Sequence, residues 1–366
     1  MFSIHVDAPL FSSASVQYRR LHNLCREQRG VKCTIGHDMG RSTNSVLNLE
    51  NEKVTDKGSG TVAREALGEK VTFRASEMDD LVYKERFVIR GSEVGVNNTA
   101  TIEAIASLLQ ETSGNRARRF GWSKDVNPTP PVMRKHRLVW ITFRVHIRMY
   151  KYPTRGDVVE IEHWSEPDGR IGAMLNFIIR NISTGEVIGR STSKLVFMNL
   201  DTRKVQKISS DVCDEYLAIC PKSPRLAFPE KNNQSLWKIP KLDEPADYSQ
   251  LGLKPRIADI DVNKHVNNVT YYSWLLQSIP QDIVETHELE AITIHYRGEC
   301  KFSDTIDSLA TTELEVDSVN PFQDESTLSN LNLNSEGRHQ FLHLLKFSYT
   351  GQEINRGRTI WRKIDK

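Results

Sequence analysis

One plan occurs twice along this chain, and it restricts the fold more than any other feature: a helix followed by several strands. The first copy begins at Gly91 with Gly-Ser-Glu-Val-Gly-Val-Asn-Asn and continues Thr-Ala-Thr-Ile-Glu-Ala-Ile-Ala-Ser-Leu-Leu-Gln to Gln110. Ile102, Ile105, Leu108 and Leu109 recur at helical spacing, and Asn98 is placed to cap that helix. Val266-Asn267-Asn268 opens the second copy, with Val269, Tyr272, Leu275, Leu276 and Ile279 as its apolar stripe and Leu-Leu-Gln again near its end. β-Branched and aromatic runs follow each helix: Leu138 to Met149, Val158 to His163, Ala173 to Ile179 and Lys194 to Met198, then Ala291 to Tyr296, Thr305 to Leu314 and Gln340 to Tyr349. Turn residues such as Pro167-Asp168-Gly169 and Thr184-Gly185 separate them, so the strands are expected to form antiparallel meanders. The predicted class is α+β, two units in tandem.

The expected divisions are an N-terminal extension over 1–68, a first unit over 69–215, a linker over 216–248 and a second unit over 249–366. Residues 1 to about 47 are rich in Ser, Arg and His, poor in acid and without a sustained hydrophobic period, which suits an organelle transit peptide. Net charge is +2, so nothing global draws the chain to nucleic acid. No apolar run approaches the roughly 18 residues of a membrane span. The five cysteines (Cys25, Cys33, Cys213, Cys220, Cys300) are odd in number and irregularly spaced, which argues for a reducing compartment rather than a disulfide framework or a zinc site.

The copies differ in polar residues. Asp261, Asn263 and His265 alternate in Ala-Asp-Ile-Asp-Val-Asn-Lys-His-Val-Asn-Asn, just ahead of the second helix. Three polar groups crowded there are hard to justify as packing. As a site they make sense, with the helix N-terminus offering unpaired N–H groups to a developing oxyanion. Aligning Val96 with Val266 sets Gly91, Glu93 and Gly95 opposite Asp261, Asn263 and His265. One chemical site per chain is therefore expected, in the second unit.

The segment Ile292-Thr-Ile-His-Tyr-Arg-Gly-Glu-Cys-Lys supplies the remaining candidates. As a strand it sends Glu299 and Cys300 to opposite faces, Cys300 with the isoleucines, unless Gly298 makes a bulge. Two mechanisms stand at this point. Glu299 is a general base that activates water, with Asn263 and His265 orienting water and base and Asp261 fixing the turn or Asn263. Alternatively, Cys300 is a nucleophile activated by His265 and oriented by Asn263. A thiol among isoleucines is usually inert, which favours Glu299.

Asp-Val-Asn-Lys-His-Val-Asn-Asn-Val-Thr-Tyr (261–271) followed by Tyr-Arg-Gly-Glu-Cys (296–300) resembles the plant acyl-[acyl carrier protein] thioesterases. Tyr152-Pro153, Gly156-Asp-Val-Val-Glu-Ile-Glu, Gly185-Glu-Val-Ile-Gly-Arg, Met198-Asn-Leu-Asp-Thr-Arg and Arg225-Leu-Ala-Phe-Pro-Glu are similar to the oleoyl-preferring A class. Met174-Leu175-Asn176-Phe177 stands where the family usually carries Arg-Arg-Asp-Trp. The resemblance implies a tandem double hotdog, each sheet wrapped around a long helix, with the acyl chain bound in the first unit and catalysis in the second. It implies hydrolysis of a fatty acyl thioester in the plastid stroma, without a cofactor, on Asn263, His265, Asp261 and Glu299, with Cys300 at the position of an older nucleophile proposal. The implied partners are an acidic acyl carrier protein and a fatty acyl chain, and a homodimer is left open. Arg116, Arg118 and Arg119, then Arg134, Lys135 and Arg137, are the candidate carrier contacts. Rival readings are a non-catalytic acyl-binding protein and an enzyme acting on acyl-CoA.

Overall fold

The computed structural model describes residues 76–79, 81–122, 129–228, 235, 237–313 and 337–364. The expected transit segment lies outside them. Eleven strands form one antiparallel sheet: β1 (Ser76–Asp79), β2 (Val82–Val88), β3 (Leu138–Met149), β4 (Val158–Asp168), β5 (Gly172–Asn181), β6 (Val187–Asn199), β7 (Tyr248–Leu253), β8 (His287–Tyr296), β9 (Ile306–Thr312), β10 (Arg338–Phe347) and β11 (Glu353–Lys363). Their spatial order is β1-β2-β4-β5-β6-β3-β8-β11-β10-β9-β7. The helices are α1 (Ile102–Arg119), α2 (Pro131–Lys135), α3 (Ser210–Leu217), α4 (Thr270–Leu276) and α5 (Gln281–Thr286).

The two units join where β3 pairs with β8. Arg144 faces His295, His146 faces Thr293 and Arg148 faces Ala291, so the units are related by a local twofold through the middle pair. There His146 Nδ1 and Thr293 Oγ1 lie 2.8 Å apart. One apolar core runs through both units, with Ile105 and Leu109 of α1, Tyr271 and Leu275 of α4, and Ile147, Ile161, Ile292 and Ile294 of the sheet. Alternation explains this, since Ile292 and Ile294 face the helices while Thr293 and His295 take the other side. Parts of the expected linker lie across that outer face. Trp164 Nε1 donates to the Arg225 carbonyl at 2.7 Å, and Leu242 packs with Leu309 and Leu344.

Three expectations are corrected. The second helix was expected to reach Ile279 but ends at Leu276, where Ser278 bonds back to the Leu275 carbonyl at 3.0 Å and Pro280 follows. Thr101, not Asn98, caps α1, its hydroxyl accepting the Ala104 N–H at 3.2 Å. Asn98 instead has φ 57 in the preceding turn, a left-handed conformation that asparagine tolerates.

The third concerns how the repeats align. Their hydrogen bonds superpose with an offset of 166 residues (Val94 on Ile260), not the 170 implied by Val96 on Val266. In the first unit Gly95 N–H bonds the Thr99 carbonyl at 2.9 Å; in the second, Asp261 N–H bonds that of His265 at 2.8 Å. Arg90 N–H donates to the Glu93 carboxylate at 2.7 Å, as Arg256 N–H does to Asp259 at 2.7 Å. Val-Asn-Asn misled because the same residues recur at different places: exposed Val96 corresponds to exposed Val262, and Asn98 (φ 57) to Lys264 (φ 63). Gly95, Asn97 and Thr99 are thus the counterparts of Asp261, Asn263 and His265.

Candidate active site

The turn from Asp261 to His265 is closed by an antiparallel bridge between Ile260 and Val266. Asp261 organises it. Its Oδ1 accepts the N–H groups of Asn263 at 2.8 Å and His265 at 3.3 Å, while Oδ2 accepts the Asn263 side-chain amide at 3.2 Å. An aspartate bonding its own backbone two residues on is an ordinary turn device. The side-chain bond goes further, because it orients the Asn263 amide.

The other half of the site follows β8. Arg297 and Gly298 N–H both donate to the Ile354 carbonyl, at 2.9 and 3.0 Å, which is the mark of a bulge. Despite the bulge, Glu299 and Cys300 diverge. The Glu299 side chain is 47% exposed, while Cys300 lies inside the core with Ile292 and Ile294. A bond from Val266 N–H to the Cys300 carbonyl at 2.8 Å clamps the two segments together. The first unit makes the same clamp from Ala100 N–H to Pro153 O at 2.8 Å.

The clamp brings His265 and Glu299 together, with Nε2 and Oε2 3.6 Å apart. That separation is longer than a direct hydrogen bond and leaves both atoms within reach of one water at about 2.8 Å from each. The same Oε2 accepts from Arg203 at 3.1 Å. Arg203 comes from the first unit and lies in the Met198-Asn-Leu-Asp-Thr-Arg run; it was not anticipated as a site residue, although that run carried part of the resemblance. Tyr271 was missed as well: its hydroxyl accepts the Cys300 N–H at 3.1 Å.

Burial raises the Cys300 thiol to about 12, the Tyr271 bond offsetting this only in part. A thiol in that state is almost wholly protonated near neutrality, and only the thiolate is a strong nucleophile. The α4 mouth also differs from expectation, because the Val269 N–H goes to Asn267 Oδ1 at 2.9 Å and the Thr270 N–H to Asn267 O at 3.0 Å. Those two amides are already engaged. Among the described residues, no cluster of three or more His, Cys, Asp or Glu could hold a metal ion, and no helix is long and apolar enough to cross a membrane.

The family model for the acyl-ACP thioesterase N-terminal domain matches residues 80–216, and that for the C-terminal domain matches 242–363. Oleoyl-acyl carrier protein thioesterase 1, chloroplastic, of Arabidopsis thaliana is 54% identical over 308 residues, 84% of this chain and 83% of that protein. The chain belongs to the acyl-ACP thioesterase family. The Coriandrum sativum oleoyl-acyl carrier protein thioesterase, chloroplastic, is 46% identical over 365 residues, 99% of this chain and 98% of its own length. Among solved structures, the 12:0-ACP thioesterase from Umbellularia californica aligns with a TM-score of 0.66 at 34% identity, covering 78% of this chain and 95% of that one. The double hotdog is thus the family's fold in this chain.

One expected carrier contact of this family member must be withdrawn. Arg116 is buried, donating to Ser165 Oγ at 2.8 Å and the Ile219 carbonyl at 2.8 Å, and its guanidinium sits 4.7 Å from the Phe120 ring centroid. It holds α1 to the sheet and is not part of a surface patch. Arg118 bonds Asn115 at 2.5 Å, and Arg137 bonds Asp201 at 2.8 and 2.7 Å.

Proposed function

We propose that the chain hydrolyses long-chain acyl-ACP, with oleoyl preferred, to free fatty acid and carrier protein, in the chloroplast. One observation carries the catalytic reading: the carboxylate of Glu299 and the imidazole of His265 face each other across 3.6 Å at the surface of a chain of this family. Glu299 takes a proton from the water between them as that water attacks the thioester carbonyl. His265 and the Asp261-held amide of Asn263 orient the water. The tetrahedral intermediate collapses with loss of the carrier's thiolate, which takes up the proton that Glu299 accepted and so restores the base. A thioester is already activated, so no cofactor is required.

The acyl tail is assigned to the inner face of the first unit, where Ile147, Met149, Val159, Ile161 and Phe177 supply apolar surface. Each methylene buried there contributes about 0.8 kcal/mol. Exposed Lys264 and Lys301 neighbour the site residues in the chain and suit an acidic carrier. One chain suffices for the site, since Arg203, His265 and Glu299 all come from it.

The test offers the purified protein oleoyl-ACP, palmitoyl-ACP and oleoyl-CoA, and measures released fatty acid. Oleoyl-ACP should have the highest kcat/KM, and Glu299→Gln should lower kcat by roughly 10²- to 10⁴-fold. Binding without release would establish the acyl-binding reading instead, and equal rates on the CoA ester would remove the carrier from the substrate.

A further inference from the structure

The hydrolytic reading gives Glu299 its task; it does not say what keeps that carboxylate in place. We propose that Arg203, delivered from the first unit, is the positioning residue that aims the Glu299 carboxylate and keeps it from collapsing onto His265.

Three observations combine. Arg203 and His265 approach the same oxygen, Glu299 Oε2, at 3.1 and 3.6 Å. The nearer partner is the arginine, so the carboxylate leans toward Arg203 and the gap to the imidazole stays open. Without that pull, two partly exposed side chains would close to a direct hydrogen bond. The place of the attacking water would then be filled.

The second observation is backbone conformation. Arg203 has φ 56, in the left-handed region that an arginine enters only at a cost. The surrounding turn enforces it. Asn199 Oδ1 accepts the N–H groups of Asp201 and Thr202 at 3.0 Å each, Asn199 O accepts the Arg203 N–H at 2.9 Å, and Arg137 grips Asp201. Glycine or asparagine would fit that position with less strain.

The third is exposure. The side chains of Arg203 and Glu299 are 35% and 47% exposed, and pairs in that setting add little to folding stability. Stability therefore does not explain a strained arginine here, whereas setting the aim of Glu299 does. The other charged or titratable groups around Glu299 already have partners or a different task. Arg297 pairs with Glu353 at 3.1 Å, Asp261 is bound to Asn263, and Tyr271 accepts from Cys300 N–H. Lys301 follows in the chain, exposed and assigned above to the carrier.

The inference rests on Glu299 acting as the base, and the experiment separates the two. The kcat and KM on oleoyl-ACP are measured for wild type, Arg203→Asn, Arg203→Lys, Glu299→Gln and the Arg203→Asn/Glu299→Gln double variant, together with Tm. Arg203→Asn suits the left-handed backbone, so Tm should hold. Its kcat should fall roughly 10- to 100-fold with KM changed less than about threefold. Arg203→Lys should recover much of the lost kcat, and Arg203→Asn should add nothing once Glu299 is Gln. Near-normal kcat in Arg203→Asn would overturn the proposal while leaving Glu299 as base. So would a loss confined to KM, which would make Arg203 a carrier contact. Wild-type turnover in Glu299→Gln alone would overturn both readings together.

Discussion

The turns Gly95–Thr99 and Asp261–His265 are one backbone used for two purposes. Each follows a short 3-10 turn (Gly91–Glu93 or Ile257–Asp259) clasped by an arginine, each places a left-handed residue four positions along from its bridge residue, and each is clamped to a segment following a central strand. They differ in side chains. The first carries Gly95, Asn97 and Thr99; the second carries Asp261, Asn263 and His265. Beyond the clamp, Tyr152 precedes Pro153 where Glu299 precedes Cys300, and the Tyr152 hydroxyl is spent on the Leu289 carbonyl at 2.8 Å. The comparison teaches that the scaffold is separable from the chemistry. A turn of this shape is worth keeping for architecture alone, and two substitutions (Gly95 against Asp261, Thr99 against His265) plus a carboxylate separate it from the proposed site.

The sharpest way to break the comparison is to remove the residue the two turns share. Asn263→Ala should lower kcat on oleoyl-ACP roughly 100-fold, because the water loses an orienting group, whereas Asn97→Ala should leave turnover within about twofold. Equal losses in the two variants, measured under saturating substrate, would mean that both turns act on substrate and that the division of labour is wrong.

A smaller effect tests what the turns have in common. Asp259 is buried and bonds both the N–H and the guanidinium of Arg256, at 2.7 and 2.8 Å, as Glu93 does with Arg90. The Arg256 hydrogen bond holds the Asp259 carboxyl below its ordinary value, against the opposing effect of burial. A depressed folded-state value contributes stability above the unfolded-state value of about 3.9 and loses it as pH falls through the folded one. Asp259→Asn should therefore cost about 1–3 kcal/mol at pH 7, with the deficit shrinking below about pH 4. Glu93→Gln should cost a similar amount at pH 7, and neither should change kcat by more than about threefold. Denaturant titrations at several pH values check this, and a large kcat effect of Asp259→Asn alone would make the second clasp part of the chemistry.

Much of this was legible in the chain. Leu138 to Met149 has the alternation of a strand and forms β3 over those same residues, and the helix-then-strands plan recurs as two halves of one sheet. What escaped did so for physical reasons. β11 reads as a charged segment because Arg356 and Arg358 lie on its outer face, where Arg358 finds Glu313 at 2.7 and 2.6 Å. β2 and β7 were missed as well, β2 holding Lys84, Glu85 and Arg86 in a row. The register of the repeats was misread because identical Val-Asn-Asn residues serve a turn tip in one unit and a helix approach in the other. Arg203 was invisible as a site residue because 96 positions separate it from Glu299, and only the sheet brings them together. Arg116 had the composition of a surface cation but the environment of a core one.

The most direct test compares the two neighbours that point in opposite directions just past the bulge. Turnover of oleoyl-ACP is measured for Cys300→Ala and Glu299→Gln, each first shown to be folded. The account requires the alanine variant to stay within about threefold of wild type while the glutamine variant falls by 10²-fold or more. The reverse pattern, with Cys300→Ala inactive and Glu299→Gln active, would contradict it and make the buried thiol the nucleophile.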